Sequence, residues 1–356
     1  STKNFKIYFF IKKVVGIPRE FLGKEISTPL PRLKYEESME IYGTDKPDTR
    51  FDLKIHNLES NLSGTEFNVF NSALKDNGTI RGFSIPKNEK MTRKFYDSLN
   101  EFVRDNGGAG IIPISVEKEI NGIQINDIKS PISKFLDLDI VKNLYNFFGV
   151  DHNQVILICA GEKNIVLECL GKVRNKLAKE FDLIDKEKFN FLFVTDFPLF
   201  EFDNDNNSWA AMHHVFSSPN QDTIEYLEND PGKVIGNLFD LVCNGVELGS
   251  GSIRIHDRKV QEKVFSIIGY DDSQVKERFG PLLESFEYGA PPHGGMGLGI
   301  DRLVSTFLGE DSIRDVISFP KTQSASDLLW GAPSEVEKEQ KLELRIKNIE
   351  DEKGKK

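Results

Sequence analysis

Cysteine is scarce. Cys159, Cys169 and Cys243 are the only thiols in 356 residues. That excludes a disulfide framework, and no CxxC pair offers a metal knuckle. Three unpaired thiols fit a reducing compartment. No apolar run approaches the roughly 18 residues that a membrane-spanning helix needs. A phosphate-cradling GxxxxGK loop is also missing, because Gly23-Lys24 and Gly171-Lys172 both lack the earlier glycine. No nucleophile with a partnered base is legible, so Ser or Cys triad hydrolysis is not expected. There is no internal repeat and no low-complexity stretch.

What remains is an ordinary globular composition: 38% hydrophobic and 29% charged residues, with a mean hydropathy of −0.37. This excludes an intrinsically disordered chain. The length suits two or three domains with a sizeable core. A net charge of −10 argues against non-specific nucleic-acid binding through overall charge, but leaves a local basic groove open.

The chain begins at Ser1 rather than Met, as a processed or shortened chain would. Residues 1–15 carry four lysines and no acid. They suit a packed helix, with Phe5, Tyr8, Phe9, Ile11 and Val15 as its apolar residues, better than an arginine-rich transit peptide. From Pro333 onward acids and bases are equal in number, as on a solvated helix that frays into Lys353–Lys356.

Three zones are expected. In residues 1–54 a helix over Tyr35–Tyr42 precedes a fixed, turn-rich loop around Pro47. Residues 55–185 alternate short β-branched strands (Gly110–Val116, Gln154–Ala160) with helical patterns at Met91–Arg104, Ser133–Phe148 and Lys163–Glu180. This predicts a separate α/β or α+β module. Residues 186–356 run strands first, at Phe191–Val194, Trp209–Phe216, Phe239–Cys243 and Val246–Ile253. Helices follow at Arg258–Ile268, Asp272–Tyr288 and Ile300–Leu308. The fold class expected is therefore α+β: an antiparallel sheet with flanking helices, plus the inserted module.

The stretch FDLVCNGVELGSGSIRIHD, Phe239–Asp257, is the most informative. Asn244-Gly245 between two apolar runs predicts a hairpin turn. Cys243 would then face Val246, Val242 face Glu247, and Leu241 face Leu248. Asp240 and Glu247 become diagonal neighbours on one face, about 7–8 Å apart at the backbone. Such a span lets two carboxylates share one Mg²⁺ and leave its other positions to phosphate and water. The alternative is a pair of solvated acids. Strict alternation puts Arg254 on the opposite face, unless a bulge at the following glycines resets it. On the acids' face, Arg254 would be a fork able to grip a carboxylate bidentately.

A second constellation is PPHGGMGLGIDRL, Pro291–Leu303. Glycines at 295, 297 and 299 would leave one face of an extended segment bare, where a flat ring could lie. Arg302 in the following helical turn would stack over it or touch a phosphate. A dinucleotide fingerprint fails, because Arg302 stands where its last glycine belongs. The alternative is a glycine turn with no function. His213-His214 sits at a predicted strand end, where alternation lets only one of the two line a given pocket. Neither has the neighbours of a zinc site.

Together these segments resemble the bacterial-type aspartyl-tRNA synthetases, including those of organelles. The matching stretches are PLPRLKYEESMEIYGTDKPDTRF, TDFPLFEFDNDNNSWAAMHHVFSSP, NGVELGSGSIRIHD, YGAPPHGGMGLGIDRLV and DSIRDVISFPKTQSASD, in one order over residues 29–327. The resemblance implies a partial class II synthetase sheet, with residues 55–185 as that family's inserted module. It implies that Asp240 and Glu247 hold Mg²⁺ against ATP. It implies that Arg254, with His213 and His214, binds substrate aspartate. Glu247, Gly299, Ile300, Asp301 and Arg302 would contact ATP, and Arg254 and Arg302 would be the catalytic arginines. Implied substrates are L-aspartate, ATP and tRNA(Asp), with tRNA(Asn) open, and the implied full-length form is a homodimer. The implied compartment is the cytoplasm, with mitochondrion or plastid as the alternative, and no membrane is involved.

The family's anticodon-binding barrel and its first and second motifs have no counterpart in these residues. This chain alone is therefore expected to bind ATP weakly and not to aminoacylate. Two other readings stand beside the ligase: a non-catalytic paralogue or fragment that binds tRNA or protein, and an amide ligase acting on aspartate and ammonia.

Overall fold

The acid-free start is helical. Helix α1 spans Lys3–Leu22, buries Val14 and Val15, and leaves Phe21 exposed. The computed structural model describes residues 3–346, with side chains from Lys13 onward. The expected packing of Phe5, Tyr8, Phe9 and Ile11, and the Lys353–Lys356 end, lie outside the described residues. The chain divides into two compact units, Ser1–Ile300 and Asp301–Lys356.

The first unit holds two five-stranded sheets. Strand β1 (Arg32–Lys34) runs straight into helix α2 (Tyr35–Tyr42). The Glu37 carboxylate accepts the Lys34 N–H at 3.2 Å and caps the start of α2. Gly43 ends it with a φ of +66°. A β-carbon on Gly43 would stand 2.0 Å from the Leu167 carbonyl, so close approach also demands glycine there.

The second sheet follows in sequence: β2 (His56–Asn57), α3 (Glu59–Leu62), α4 (Asn68–Lys75), β3 (Thr79–Pro86), α5 (Arg93–Asp105), β4 (Ile112–Val116), β5 (Ile128–Lys129), α6 (Leu138–Phe148), β6 (Gln154–Gly161) and α7 (Lys163–Glu180). Its strand order is β2-β3-β6-β4-β5, with every pair antiparallel. The run QVILICAG lacks polar alternation because both its faces are covered. Val155, Leu157 and Cys159 pack with Val166, Leu170 and Val173 of α7. Ile156, Ile158 and Ala160 pack with Leu144 and Tyr145 of α6. The helix expected over Ser133–Phe148 is broken. A single 3₁₀ turn spans Ser133–Phe135, and Asp137 then caps α6 by accepting the Ile140 N–H at 2.7 Å.

The first sheet resumes with β7 (Phe191–Thr195). Strands β8 (Phe200–Asp203) and β9 (Ser208–Ala211) form a side ribbon, and β10 (Leu238–Cys243) and β11 (Val246–Ile253) form the hairpin. Helices α8 (Arg258–Ile267) and α9 (Asp272–Glu287) precede β12 (Gly294–Leu298). Strand order is β1-β7-β10-β11-β12, and only β1 and β7 run parallel. Both sheets with their flanking helices make the fold α+β, as expected. Helix α10 covers Ile300–Leu308. Among the described residues, the solvated helix expected from Pro333 is reduced to α11, Lys338–Glu343, which is exposed. Among the described residues, no helix is long and apolar enough to cross a membrane.

Candidate active site

Asn244 and Gly245 turn the hairpin with φ values of +54° and +84°. Two positive φ angles are what a type I′ turn requires. Cys243 pairs with Val246 and Val242 with Glu247, as the turn predicts. One expected pair is wrong. Leu241 pairs with Gly249, not Leu248, because the register shifts between Leu241 and Val242. Leu248 is the extra residue of a β-bulge, and it is fully buried. Directly paired residues share a face of the sheet. Asp240 pairs with Ser250, and Leu238 with Ser252. The face of Glu247 thus continues through Ser250 and Ser252 rather than through Gly249. Arg254 follows in the same alternation, bridged to Ser217, with its N–H donating to His293 O at 2.9 Å. On an unbroken strand Arg254 would fall on the other face.

Strand β12 completes this surface. Gly295 pairs with Ser252 and Gly297 with Ser250. A β-carbon on Gly295 or Gly297 would meet nothing within 4 Å, so the expected bare face exists. The opposite face is filled: a β-carbon on Gly251 would stand 2.5 Å from the Phe239 ring. Gly299 donates its N–H to the carbonyl of the bulged Leu248 at 2.7 Å. Ile300 is exposed, as are Asp301 and Arg302. The last two belong to the second unit.

The histidine pair departs from expectation. The strand predicted over Trp209–Phe216 ends at Ala211, so strand alternation does not govern His213 and His214. Both meet the site. His213 Nε2 lies 3.4 Å from Asp240 Oδ2, and its ring stands edge-on to Phe197 at 4.7 Å. Arg254 Nη1 lies 3.0 Å from His214 Nδ1 and also contacts Nε2 of that ring.

The two imidazoles titrate in opposite directions. The Asp240 hydrogen bond raises the His213 pKa above 6.5 against the opposing effect of burial, and the charges of Asp240, Glu247 and Asp45 add to the rise. Burial lowers the His214 pKa, helped by the charge of Arg254 and then of His213. Burial also lowers the Arg254 pKa. At one end of the site the carboxylates favour protonation of the imidazole beside them. At the other end an arginine and burial disfavour protonation of its neighbouring imidazole.

Asp240 is only 2% exposed, and its Oδ1 makes no hydrogen bond to the protein. An uncommitted, buried carboxylate oxygen on the face of Glu247 fits a hard cation. Among the described residues, no three His, Cys, Asp or Glu side chains gather into a metal cluster. A cation here would have two protein carboxylates and take its other oxygens from ligand and water. Ser217 Oγ and Ser252 Oγ are likewise buried without a protein partner. Sequence reasoning missed these serines and Asp45. Ser252 becomes legible once the bulge is known, since alternation then carries it onto the site face. None of these residues lines the 770 Å³ cleft formed by Arg258, Tyr270, Lys276 and Glu287.

Comparison with known proteins gives the family. The family model for tRNA synthetases class II (D, K and N) matches residues 4–323. The aspartate–tRNA(Asp/Asn) ligase of Thermoanaerobacter sp. (strain X514) is 44% identical over 337 residues, covering 94% of this chain and 56% of that protein. That of Natranaerobius thermophilus is 41% identical over 329 residues, covering 92% of this chain and 55% of that protein. The aspartate–tRNA ligase of Halalkalibacterium halodurans is 42% identical over 334 residues, with 94% and 55% covered. The chain thus spans a little over half the length of the curated relatives it matches. A family match over that many residues leaves no other assignment: the chain belongs to the class II tRNA synthetases of the D, K and N group.

Proposed function

We propose that this chain carries the aspartate- and nucleotide-facing part of an aspartate–tRNA ligase. One observation carries the proposal: the Leu248 bulge brings Arg254 onto the face of Asp240 and Glu247. Arg254 pairs with the side-chain carboxylate of L-aspartate. Asparagine is nearly isosteric but uncharged, so it would leave the guanidinium without a counter-charge. His214, whose protonation burial and Arg254 disfavour, keeps Arg254 oriented. Asp240 and Glu247 hold Mg²⁺, which when bound offsets phosphate charge. Gly299 and Ile300 face ATP, and Asp301 and Arg302 keep the ATP-contacting role that the family resemblance implies. The aspartate α-carboxylate attacks the ATP α-phosphorus in line, pyrophosphate leaves, and aspartyl-adenylate forms. The aspartyl group then passes to the 3′ end of tRNA(Asp), with tRNA(Asn) as a second acceptor. By the same reading residues 55–185 are a module inserted between the two parts of the catalytic domain, residues 1–54 and 186–356, and the full-length protein is a homodimer.

Calorimetric titration with non-hydrolysable aspartyl- and asparaginyl-adenylate analogues tests the proposal. The aspartyl analogue should bind more tightly by about 2–5 kcal/mol, the cost of leaving a buried charge without its partner. Equal affinities for the two would overturn it.

A further inference from the structure

A charged side chain outside the site is completely buried. Arg174 of α7 is 0% exposed, and the aspartate-activation reading gives it no part. Its guanidinium holds a single loop. Nη2 donates to Asp48 O at 2.6 Å and to Phe51 O at 3.2 Å, and Nε donates to Leu53 O at 2.9 Å. The rings of Phe51 and Tyr42 lie 4.1 and 4.8 Å from its central carbon. Burial brings its pKa down to about 10, so it stays charged at neutral pH. Desolvating a guanidinium is expensive, and an apolar side chain would fill the same space more cheaply. What only arginine supplies is a rigid fork that satisfies several carbonyls at once.

The loop it holds leads to the hairpin turn. Asp48 pairs with Arg50, 2.7 Å from Oδ2 to Nη2, and its β-carbon lies 3.2 Å from where a side chain on Gly245 would begin. Thr49 O accepts from Asn190 Nδ2 at 3.0 Å. The Asn190 N–H donates to Asn244 Oδ1 at 2.9 Å, and Asn244 Nδ2 donates to Lys188 O at 3.0 Å. Glu247 follows this turn directly on β11. Helix α7 is itself pressed onto the end of α2, since a β-carbon on Gly171 would stand 2.6 Å from Gly43 O.

We propose that Arg174 is a positioning residue. Through the loop of residues 48–53 it locks the Asn244-Gly245 turn and so sets where Glu247 stands. Helix α7, in the α/β region of the chain, thereby becomes a determinant of active-site geometry. The inference rests on the aspartate-activation reading only for its ligand-binding readout.

Hydrogen exchange on the full chain and on the variants Arg174→Met and Arg174→Lys tests it. In Arg174→Met the amides of residues 50–53, 190 and 244–247 should exchange roughly tenfold faster, as expected when hydrogen bonds from a buried charged donor are cut. Strand β6 amides should be unchanged, which excludes general loss of fold. Arg174→Lys should recover part of the protection, and affinity for the aspartyl-adenylate analogue should follow the same ranking. Faster exchange confined to residues 50–53, or no change anywhere, would overturn the proposal. Should Arg174→Met fail to fold, Asn190→Ala removes the Nδ2 bond to Thr49 O that joins the loop to the turn, and leaves the Asn190 N–H bond to Asn244 in place. It should speed exchange at residues 244–247 and spare residues 51–53, and an unaffected turn would again overturn the proposal. A wild-type chain that ignores the analogue would remove the aspartate reading, leaving the exchange pattern to decide the coupling.

Discussion

The two sheets of the first unit are built to different ends. In the sheet centred on β6, both faces are apolar and closed, and Phe83, Ile156, Leu157 and Ile158 are fully buried. In the sheet centred on β10, one face carries a buried carboxylate and a buried serine, each with an oxygen that makes no protein hydrogen bond. Unpaired buried polar atoms cost stability. The difference teaches where stability and chemistry reside. The closed sheet anchors the fold, and the half-polar sheet carries groups that a ligand, not the protein, would satisfy.

The comparison can be broken most sharply from the closed side. Phe83→Ala should cost about 3–5 kcal/mol, read as a lower denaturant midpoint with an unchanged slope. A loss below about 1 kcal/mol would mean that this core is not close-packed. On the half-polar side, Arg254→Ala should cost about 2–5 kcal/mol in affinity for the aspartyl-adenylate analogue while the unfolding midpoint hardly moves. Undiminished affinity would take Arg254 out of the pocket. The smallest effect sharpens the electrostatics. In Asp240→Asn the His213 pKa should fall back toward 6.5, followed by NMR titration. The sign follows from the raised native pKa. The stability that the protonated His213 contributes is present below about pH 6.5, the unfolded value, and is lost as pH rises through its native pKa. Asp240→Asn should weaken that dependence, and an unmoved His213 pKa would show that Asp240 does not hold the proton.

Much of this architecture was legible in the residues. Helices α2 and α7 and strand β11 run over the residues that their sequence pattern predicts. The turn was legible because Asn-Gly between apolar runs tolerates few other conformations. Strand β3 was missed, since TIRGFSIP carries glycine, arginine and a terminal proline and lacks a clean alternation. The helix break at Asp137 was missed because a cap in mid-pattern looks like a polar helical position. The histidine pair was misjudged because the strand stops at Ala211, two residues before His213, and a loop obeys no two-residue period. The Arg174 clamp was invisible, since its carbonyl partners lie more than a hundred positions away along the chain.

The bulged Leu248 makes the length of one short segment a matter of parity. Glu247 and Arg254 are separated by an odd interval, and the single looped-out residue converts it to an even one. Removing any residue between them while the bulge stays in place would send the guanidinium to the back of the sheet. Composition, hydropathy and hairpin would be preserved, but the two ends of the site would face away from each other. Insertions and deletions in this stretch therefore threaten recognition well before they threaten folding.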